Sequence, residues 1–318
     1  MHSDRASKKL RVVFMGSSPF SLPALKALAH SEEVVTVVTQ PDRPRGRGRK
    51  VSSLPVKEIA IEFGLSFLQP ERVRDPEFIT VLRKKRPELI VVAAFGQILP
   101  LAILGIPPLG CVNIHPSLLP KYRGAAPINW AIINGETRTG ITTYLMDEGM
   151  DTGDILLTKE VEIGPDETAQ GLGVRLATTG AELLLETLRR LKAGNVHPTP
   201  QDSEGVSFAP ILKKEDGLIP WEKTAHQIRN QIRGMIPWPV AFTFLREKRL
   251  RIYRGMIGNG KSSPGEIISL NGGIEVACGE RSLFIEELQL EGGVKMGWKE
   301  FVRGHRLTLG ERMVQFYN

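Results

Sequence analysis

Asn113 and His115 stand two positions apart at the end of an apolar run over residues 110–115. Side chains two apart on a strand share a face, so the amide and the imidazole can converge on one reacting atom. Pro116 ends the run, which places both groups at the carboxyl end of the strand, where open α/β sheets hold their ligands. An amide can donate to a developing oxyanion and an imidazole can move a proton near neutral pH, so the pair suits acyl or formyl transfer. A third, orienting carboxylate is available from residues 146–154, where Asp147, Asp151 and Asp154 alternate with Gly149 and Gly153 in a turn able to return toward His115. Taken by itself, the pattern reads first as a His that caps a strand and Asp residues that make turns.

The elements that must position these residues are legible from periodicity. The chain has 318 residues, beyond the length at which one hydrophobic core usually stops growing, so two domains are expected. Residues 10–15, 22–29, 34–39 and 55–63 read as strand, helix, strand, helix. A polar segment over 76–86 follows, then a buried-type strand over 89–94 and the strand 111–115. This alternation predicts an α/β fold, a Rossmann-like, doubly wound, mostly parallel sheet with helices on both faces. Apolar residues at Leu172, Leu176, Leu183, Leu184 and Leu188 recur at helical spacing and predict a long helix over 168–191. Residues 193–209 are rich in Gly, Pro, Asn, Ser and Asp, the composition of a linker. A helix over 224–235 and close-spaced apolar runs separated by glycine turns then predict a smaller OB-like β-barrel. The expected organisation is a catalytic domain over 1–192, a linker over 193–212 and a barrel over 213–318.

Composition excludes several classes. With 41% hydrophobic and 24% charged residues the chain is ordinary globular protein. The longest apolar run, residues 89–95, falls far short of the roughly 20 residues that cross a bilayer. Only Cys111 and Cys278 occur, without metal-ligand spacing, so neither a metal site nor a disulfide is signalled and a reducing cytoplasm is expected. A dinucleotide fingerprint at residues 16–23 fails, because the later glycines it needs are Ser18 and Ser21. The formal net charge of +7 favours a polyanionic partner. Residues 213–318 carry 17 Lys and Arg against 12 Asp and Glu, so much of that excess lies in the last third, and the barrel is expected to bind RNA through its backbone charge.

Asn113, Ile114 and His115, followed by Ser117, Leu118, Leu119 and Pro120 and by Arg123 and Gly124, resemble the signature of folate-dependent formyltransferases. The likeness to members acting on an aminoacyl-tRNA extends along nearly the whole chain, from residues 15–20 through 40–44, 55–57, 69–72, 146–154 and 237–239 to 300–304. It implies that Asp151 joins Asn113 and His115 as a catalytic residue. It implies a folate site lined by Ser117, Leu118, Leu119 and Pro120, with Phe95, Gly96 and Leu99 against the pterin. The implied reaction moves the formyl group of 10-formyltetrahydrofolate to the α-amine of initiator methionyl-tRNA, with no metal or nicotinamide and with the enzyme a monomer. In it, Asn113 and protonated His115 stabilise the oxyanion, while Asp151 holds the His115 tautomer and helps take the amine proton.

Residues 42–50 hold five cations among Gly and Pro and suit neither a regular helix nor a packed strand. A solvated, mobile charge run is one reading; the resemblance points instead to tRNA contacts by Arg43, Arg45, Arg47, Arg49 and Lys50. Trp221, Trp238 and Trp298 fall among basic residues after the linker, where core packing is expected in preference to stacking on bases. Rival acceptors are glycinamide ribonucleotide, a UDP-linked amino sugar and water. A rival of another class is an RNA-binding protein on an inactive fold.

Overall fold

The computed structural model describes residues 8–45 and 50–314. Two compact units interleave along the sequence. The first comprises residues up to 124, 138–162 and 173–208; the second comprises 125–137, 163–172 and 209 onward.

The first unit contains β1 (Arg11–Gly16), β2 (Glu33–Val38), β3 (Arg43–Arg45), β4 (Lys50–Ser52), β5 (Phe67–Leu68), β6 (Leu89–Ala93), β7 (Cys111–His115), β8 (Arg123–Gly124), β9 (Arg138–Leu145) and β10 (Ile155–Glu162). Its main sheet has the order β10-β9-β7-β6-β1-β2-β5. The block from β7 to β5 is parallel, and β9 and β10 extend it antiparallel. The apolar runs of β1 and β6 are buried almost throughout, as parallel strands covered on both faces must be. Helices α1 (Leu22–Ser31), α2 (Pro55–Glu62) and α3 (Pro76–Lys84) each carry proline in the first turn, where no backbone donor is wasted.

Strand parity sorts the two faces. Val13, Met15, Ile90, Val92 and Cys111 pack in one cluster with Phe78 and Leu82 of α3 and Ile103 of α4 (Leu101–Leu104). On the opposite face, Gly180 of the long helix α6 (Ala169–Lys192) lies against Ile114 and Ile141. Asn113 and His115 share parity with Cys111 and so lie on the α3 face. Three features differ from the sequence expectation. Strands β9 and β10 were not anticipated, because β9 is rich in Thr and the edge strand β10 exposes Lys159 and Glu160. The basic segment, expected to avoid strand, pairs Arg43 with Ser52 and Arg45 with Lys50 as a two-stranded antiparallel ribbon, β3 with β4. Arg47 and Arg49 lie outside the described residues.

The second unit begins with helix α5 (Pro127–Ile133), followed by strand β11 (Phe208–Ala209) at its junction with the first. Helix α7 (Ala225–Gly234) starts on a capping box of Thr224 and Gln227. The strands β12 (Ala241–Leu245), β13 (Lys248–Gly258), β14 (Ile267–Ser269), β15 (Ile274–Ala277), β16 (Ser282–Leu290) and β17 (Met296–Gly297) precede helix α8 (Trp298–His305). The sheet is antiparallel in the order β12-β13-β16-β15-β14, with β17 on β16. Its two edges are bridged by residues 312–314: Val314 pairs with Phe244 of β12, and Arg312 pairs with Glu266 at the start of β14. The barrel-like core holds Trp221, Ile228, Ile232, Leu250, Ile252, Leu283, Ile285 and Phe301. Trp221 is core as expected and Trp298 packs against that core, but Trp238 is 54% exposed. It lies between Pro237 and Pro239, ahead of the first strand of this unit's sheet, which begins at Ala241. Among the described residues no helix is long and apolar enough to cross a membrane.

Candidate active site

At the carboxyl ends of β1, β2 and β6 the backbone is stitched by polar side chains. Ser17 Oγ donates to the Phe95 carbonyl at 3.2 Å, and the Gln40 amide nitrogen Nε2 donates to the same oxygen at 3.2 Å. The backbone N–H of Gln40 donates to Ser17 Oγ at 3.1 Å. Strand β1 has β2 on one side and β6 on the other, so these polar contacts sit at the switch in strand order. The side chains of Phe95 and Leu99 are buried in the α3-face cluster, whereas Gly96 is exposed. What residues 94–96 offer to a ligand is therefore backbone.

One strand over, Asn113 faces Tyr144 of β9 in register, and His115 faces Thr142. Asn113 Nδ2 donates to the Tyr144 hydroxyl at 3.0 Å, and that hydroxyl donates to Asp151 Oδ1 at 2.6 Å. Asp151 Oδ2 accepts the Gly124 N–H at 2.7 Å and lies 3.7 Å from His115 Nδ1. On the other side of the ring, Nε2 meets the Tyr122 carbonyl at 2.9 Å. A carbonyl only accepts, so Nε2 carries the hydrogen and the Nδ1 lone pair faces the carboxylate. The Tyr122 carbonyl, not Asp151, sets the tautomer. Asn113 and His115, neighbours on one strand, are thus joined to the sequence-distant Asp151 in one partly buried network.

The electrostatics follow from burial. Burial holds the His115 imidazole below its usual range, opposed by the Asp151 charge and the Tyr122 carbonyl. Burial, with Asp151 alongside, holds the Tyr144 phenol well above its usual range. The ring is neutral near pH 7 and Tyr144 remains a donor. Burial also pushes the Cys111 and Cys278 thiols up to about 12, so neither serves as a nucleophile near neutrality. No cluster of metal-ligating side chains occurs among the described residues.

The turn that returns Asp151 is built by close approach. Asp151 adopts φ 55°, and a Cβ on Gly153 would lie 1.7 Å from the Leu145 carbonyl oxygen. Gln201 Nε2 donates to the carbonyls of Asp151 and Gly153, each at 2.8 Å, while its oxygen accepts from Arg123. Ser207 Oγ accepts the Tyr122 N–H at 2.9 Å. Residues 193–209, read as linker by composition, thus brace the site although they hold almost no regular structure.

The loop after His115 is shaped by buried polar anchors. Ser117 is fully buried, donating from Oγ to the Lys121 carbonyl at 2.6 Å. Thr142 Oγ1 donates to the Ser117 carbonyl and accepts the Leu119 N–H. The Leu119–Pro120 bond is cis. Leu119 is buried, Leu118 and Pro120 are half-buried, and Gly140 makes room for Leu118, whose Cδ2 lies 2.5 Å from where a Cβ would stand. Of the basic residues assigned to tRNA, Arg43, Arg45 and Lys50 fall in the ribbon, whose base is fixed by Asp42 with Lys57 and Gln69. The Lys57 ammonium holds the Asp42 carboxyl below its usual range. Sequence reasoning missed Tyr144, Thr142, Gln201, Ser17 and Gln40. Polar residues directly after the apolar runs of β1 and β2 were the available signal for the last two; the others became visible only through pairing.

A formyl transferase family model matches residues 10–188, and a model of the formyl transferase C-terminal domain matches residues 211–306. The chain is 55% identical over 302 residues to a protein of Trichlorobacter lovleyi described as methionyl-tRNA formyltransferase, covering 94% of this chain and 96% of that one. It is 52% identical over 306 residues to a protein of the same description from Geobacter sulfurreducens, covering 96% of each. Among solved structures, the fold is similar to HypX from Aquifex aeolicus in complex with tetrahydrofolic acid, with TM-score 0.64 and 17% identity over 93% of this chain and 47% of that one. It is also similar to an N-formyltransferase from Helicobacter canadensis in complex with folinic acid and dTDP-3-aminofucose, with TM-score 0.63 and 17% identity over 87% of this chain and 99% of that one.

Proposed function

The chain belongs to the formyl transferase family, and from that premise we propose that it transfers the formyl group of 10-formyltetrahydrofolate to the α-amine of methionyl-tRNA. The observation that carries the acceptor is the near-complete coverage at more than half identity by relatives described as acting on methionyl-tRNA. An amino-sugar acceptor draws support only from relatives of low identity, whose likeness concerns the fold.

The uncharged methionine amine attacks the formyl carbon, forming the C–N bond and a tetrahedral oxyanion. Asn113 uses one amide hydrogen on Tyr144, and its second hydrogen is available to that oxyanion. Neutral His115 presents its Nδ1 lone pair and takes the proton the amine loses; Asp151, beside Nδ1, supports the imidazolium. That proton then passes to N10 as the carbon–N10 bond breaks, so the folate leaves as the neutral amine and the ring returns to its first state. The chain's own groups balance every proton, and no residue is acylated. The exposed backbone at Gly96 and the residues 117–120 suit the planar carrier, the first with carbonyl and amide groups and the second with apolar surface. Arg43, Arg45, Arg47, Arg49 and Lys50 suit the phosphates of the acceptor. The enzyme acts as a monomer in the cytoplasm.

The test is formyl transfer measured side by side with methionyl-tRNA, glycinamide ribonucleotide and a UDP-linked amino sugar, using one labelled donor. Label appearing on methionyl-tRNA alone is expected. Faster labelling of either small acceptor overturns the assignment.

A further inference from the structure

Arg123 and Gly124 close the motif that runs on from Asn113 and His115, yet the transfer chemistry leaves the Arg123 guanidinium without a task. A cation at the edge of a transfer centre suits a phosphate of the acceptor. The local geometry gives this one a different role. Nε and Nη2 of Arg123 both donate to one oxygen, Gln201 Oε1, at 3.1 and 2.6 Å. The amide nitrogen of Gln201 donates in turn to the carbonyls of Asp151 and Gly153, each at 2.8 Å. Both hydrogens of that amide are thereby used, and its orientation is fixed, because only its oxygen can accept from Arg123 and only its nitrogen can donate to carbonyls.

The circuit closes on the carboxylate. The backbone N–H of Gly124, next to Arg123, donates to Asp151 Oδ2 at 2.7 Å. Arg123 is itself held from the segment that carries Gln201: its backbone N–H donates to the Ser207 carbonyl at 2.8 Å, and the Tyr122 N–H donates to Ser207 Oγ at 2.9 Å. Asp151 is therefore tied at its main chain by Gln201 and at its side chain by Gly124, and both ties lead to Arg123. A double hold answers a local difficulty. Asp151 adopts φ 55°, a left-handed backbone that a Cβ disfavours and that persists where surrounding bonds over-determine it. Its carboxylate lies 3.7 Å from His115 Nδ1, so relaxation of the turn would carry the charge away from the ring.

We propose that Arg123 and Gln201 are positioning residues that hold the Asp151 carboxylate against His115, and that the Arg123 guanidinium serves this brace rather than a phosphate of the acceptor. The inference rests on the reading of Asp151 as a group of the transfer centre. It gives a role in turnover to one side chain of the irregular segment 193–209 and to a motif residue that touches no reacting atom.

Gln201→Met keeps the reach of the side chain and removes its hydrogen bonds. It should lower kcat roughly ten- to a hundredfold while KM for methionyl-tRNA and its salt dependence stay parental, because no substrate contact is lost. In the free enzyme the His115 ring titration, followed by NMR, should move to lower pH, since the Asp151 charge that opposes burial has withdrawn. Arg123→Met should repeat both changes, and the double variant should be little worse than either single one, as two cuts in one circuit. Thermal melting identifies a variant that has lost its fold, and Arg123→Met reads the circuit from its other end should Gln201→Met be that variant. Parental kcat and ring titration in a folded variant overturn the brace, as do losses that multiply in the double variant. Arg123→Met with parental kcat and a salt slope shallower by about one logarithmic unit makes Arg123 a phosphate contact and overturns its assignment. Transfer to methionyl-tRNA by the parent is measured separately. Its absence overturns the functional reading, whereas the ring titration needs no substrate and decides the brace by itself.

Discussion

Tyr144 is the residue on which the network turns, because its hydroxyl donates to Asp151 while accepting from Asn113. Tyr144→Phe removes both bonds and keeps the packing. A hydrogen bond to a charged group contributes about 1.5–3 kcal/mol, so kcat should fall roughly ten- to a hundredfold with KM for tRNA little changed. An unaltered kcat makes Tyr144 packing only. Asn113→Ala and His115→Ala should each cost about a hundredfold or more in turnover; near-parental rates would remove the proposed centre. The Asp151 charge raises the His115 pKa against burial, so Asp151→Asn should move the imidazole titration, followed by NMR of the ring, to still lower pH. A shift upward would show that another group faces Nδ1. Because burial disfavours the charged ring, its contribution to stability is fully present above the unfolded value of about 6.5 and is lost as pH falls through the lower folded pKa.

At the scale of elements, the return of β9 into β10 depends on a backbone approach that no side chain permits. Gly153→Ala would drive a methyl into the Leu145 carbonyl. Overpacking of this kind costs about 1–3 kcal/mol, and the same shift would carry Asp151 away from His115. Urea unfolding and the transfer assay should therefore change together. Gly171→Ala, in α6 with nearest neighbours at 3.7 Å, should be neutral or stabilising in the same unfolding measurement; loss of stability there would mean that the open surface around it has been misjudged. The closing segment is the corresponding element of the second unit, since residues 312–314 pair with both sheet edges.

At the scale of the molecule, the second unit is assembled from separate stretches of chain. Helix α5 packs on α7: Asn129 donates to the Gly234 carbonyl at 2.7 Å, and a Cβ on Gly234 would lie 2.6 Å from Ile133. A fragment of residues 213–318 lacks that helix and bares the α7 face. It should melt below a fragment supplied with residues 125–137, as read by circular dichroism; equal melting would make α5 dispensable. Under the proposed function, the basic ribbon and the +7 charge act through phosphate. Replacing Arg43, Arg45, Arg47 and Arg49 by Ala should weaken tRNA binding and flatten its salt dependence by about one logarithmic unit per lost contact, leaving folate binding unchanged. Identical salt slopes would reduce the run to solvated charge.

Local period and residue type were readable along the chain alone. The apolar runs of β1, β2, β6 and β7 announced buried strands, five leucines announced α6, and the spacing of Asn113 and His115 placed two polar groups on one face at a strand end. These signals survive because burial and parity act on neighbours along the chain. Tertiary structure decided the rest. Thr-rich β9 and charged β10 became strands only by adding to an existing sheet edge, which supplied their hydrogen bonds. Residues 310–314 found their role by closing a barrel whose edges lie some 50 and 70 residues away in sequence. Tyr144 entered the site because register with β7 put it opposite Asn113, and Gln201 because an irregular segment passed beneath the Asp151 turn. Such positions depend on partners distant in sequence, and a partner's identity leaves no periodic trace in the residue that meets it.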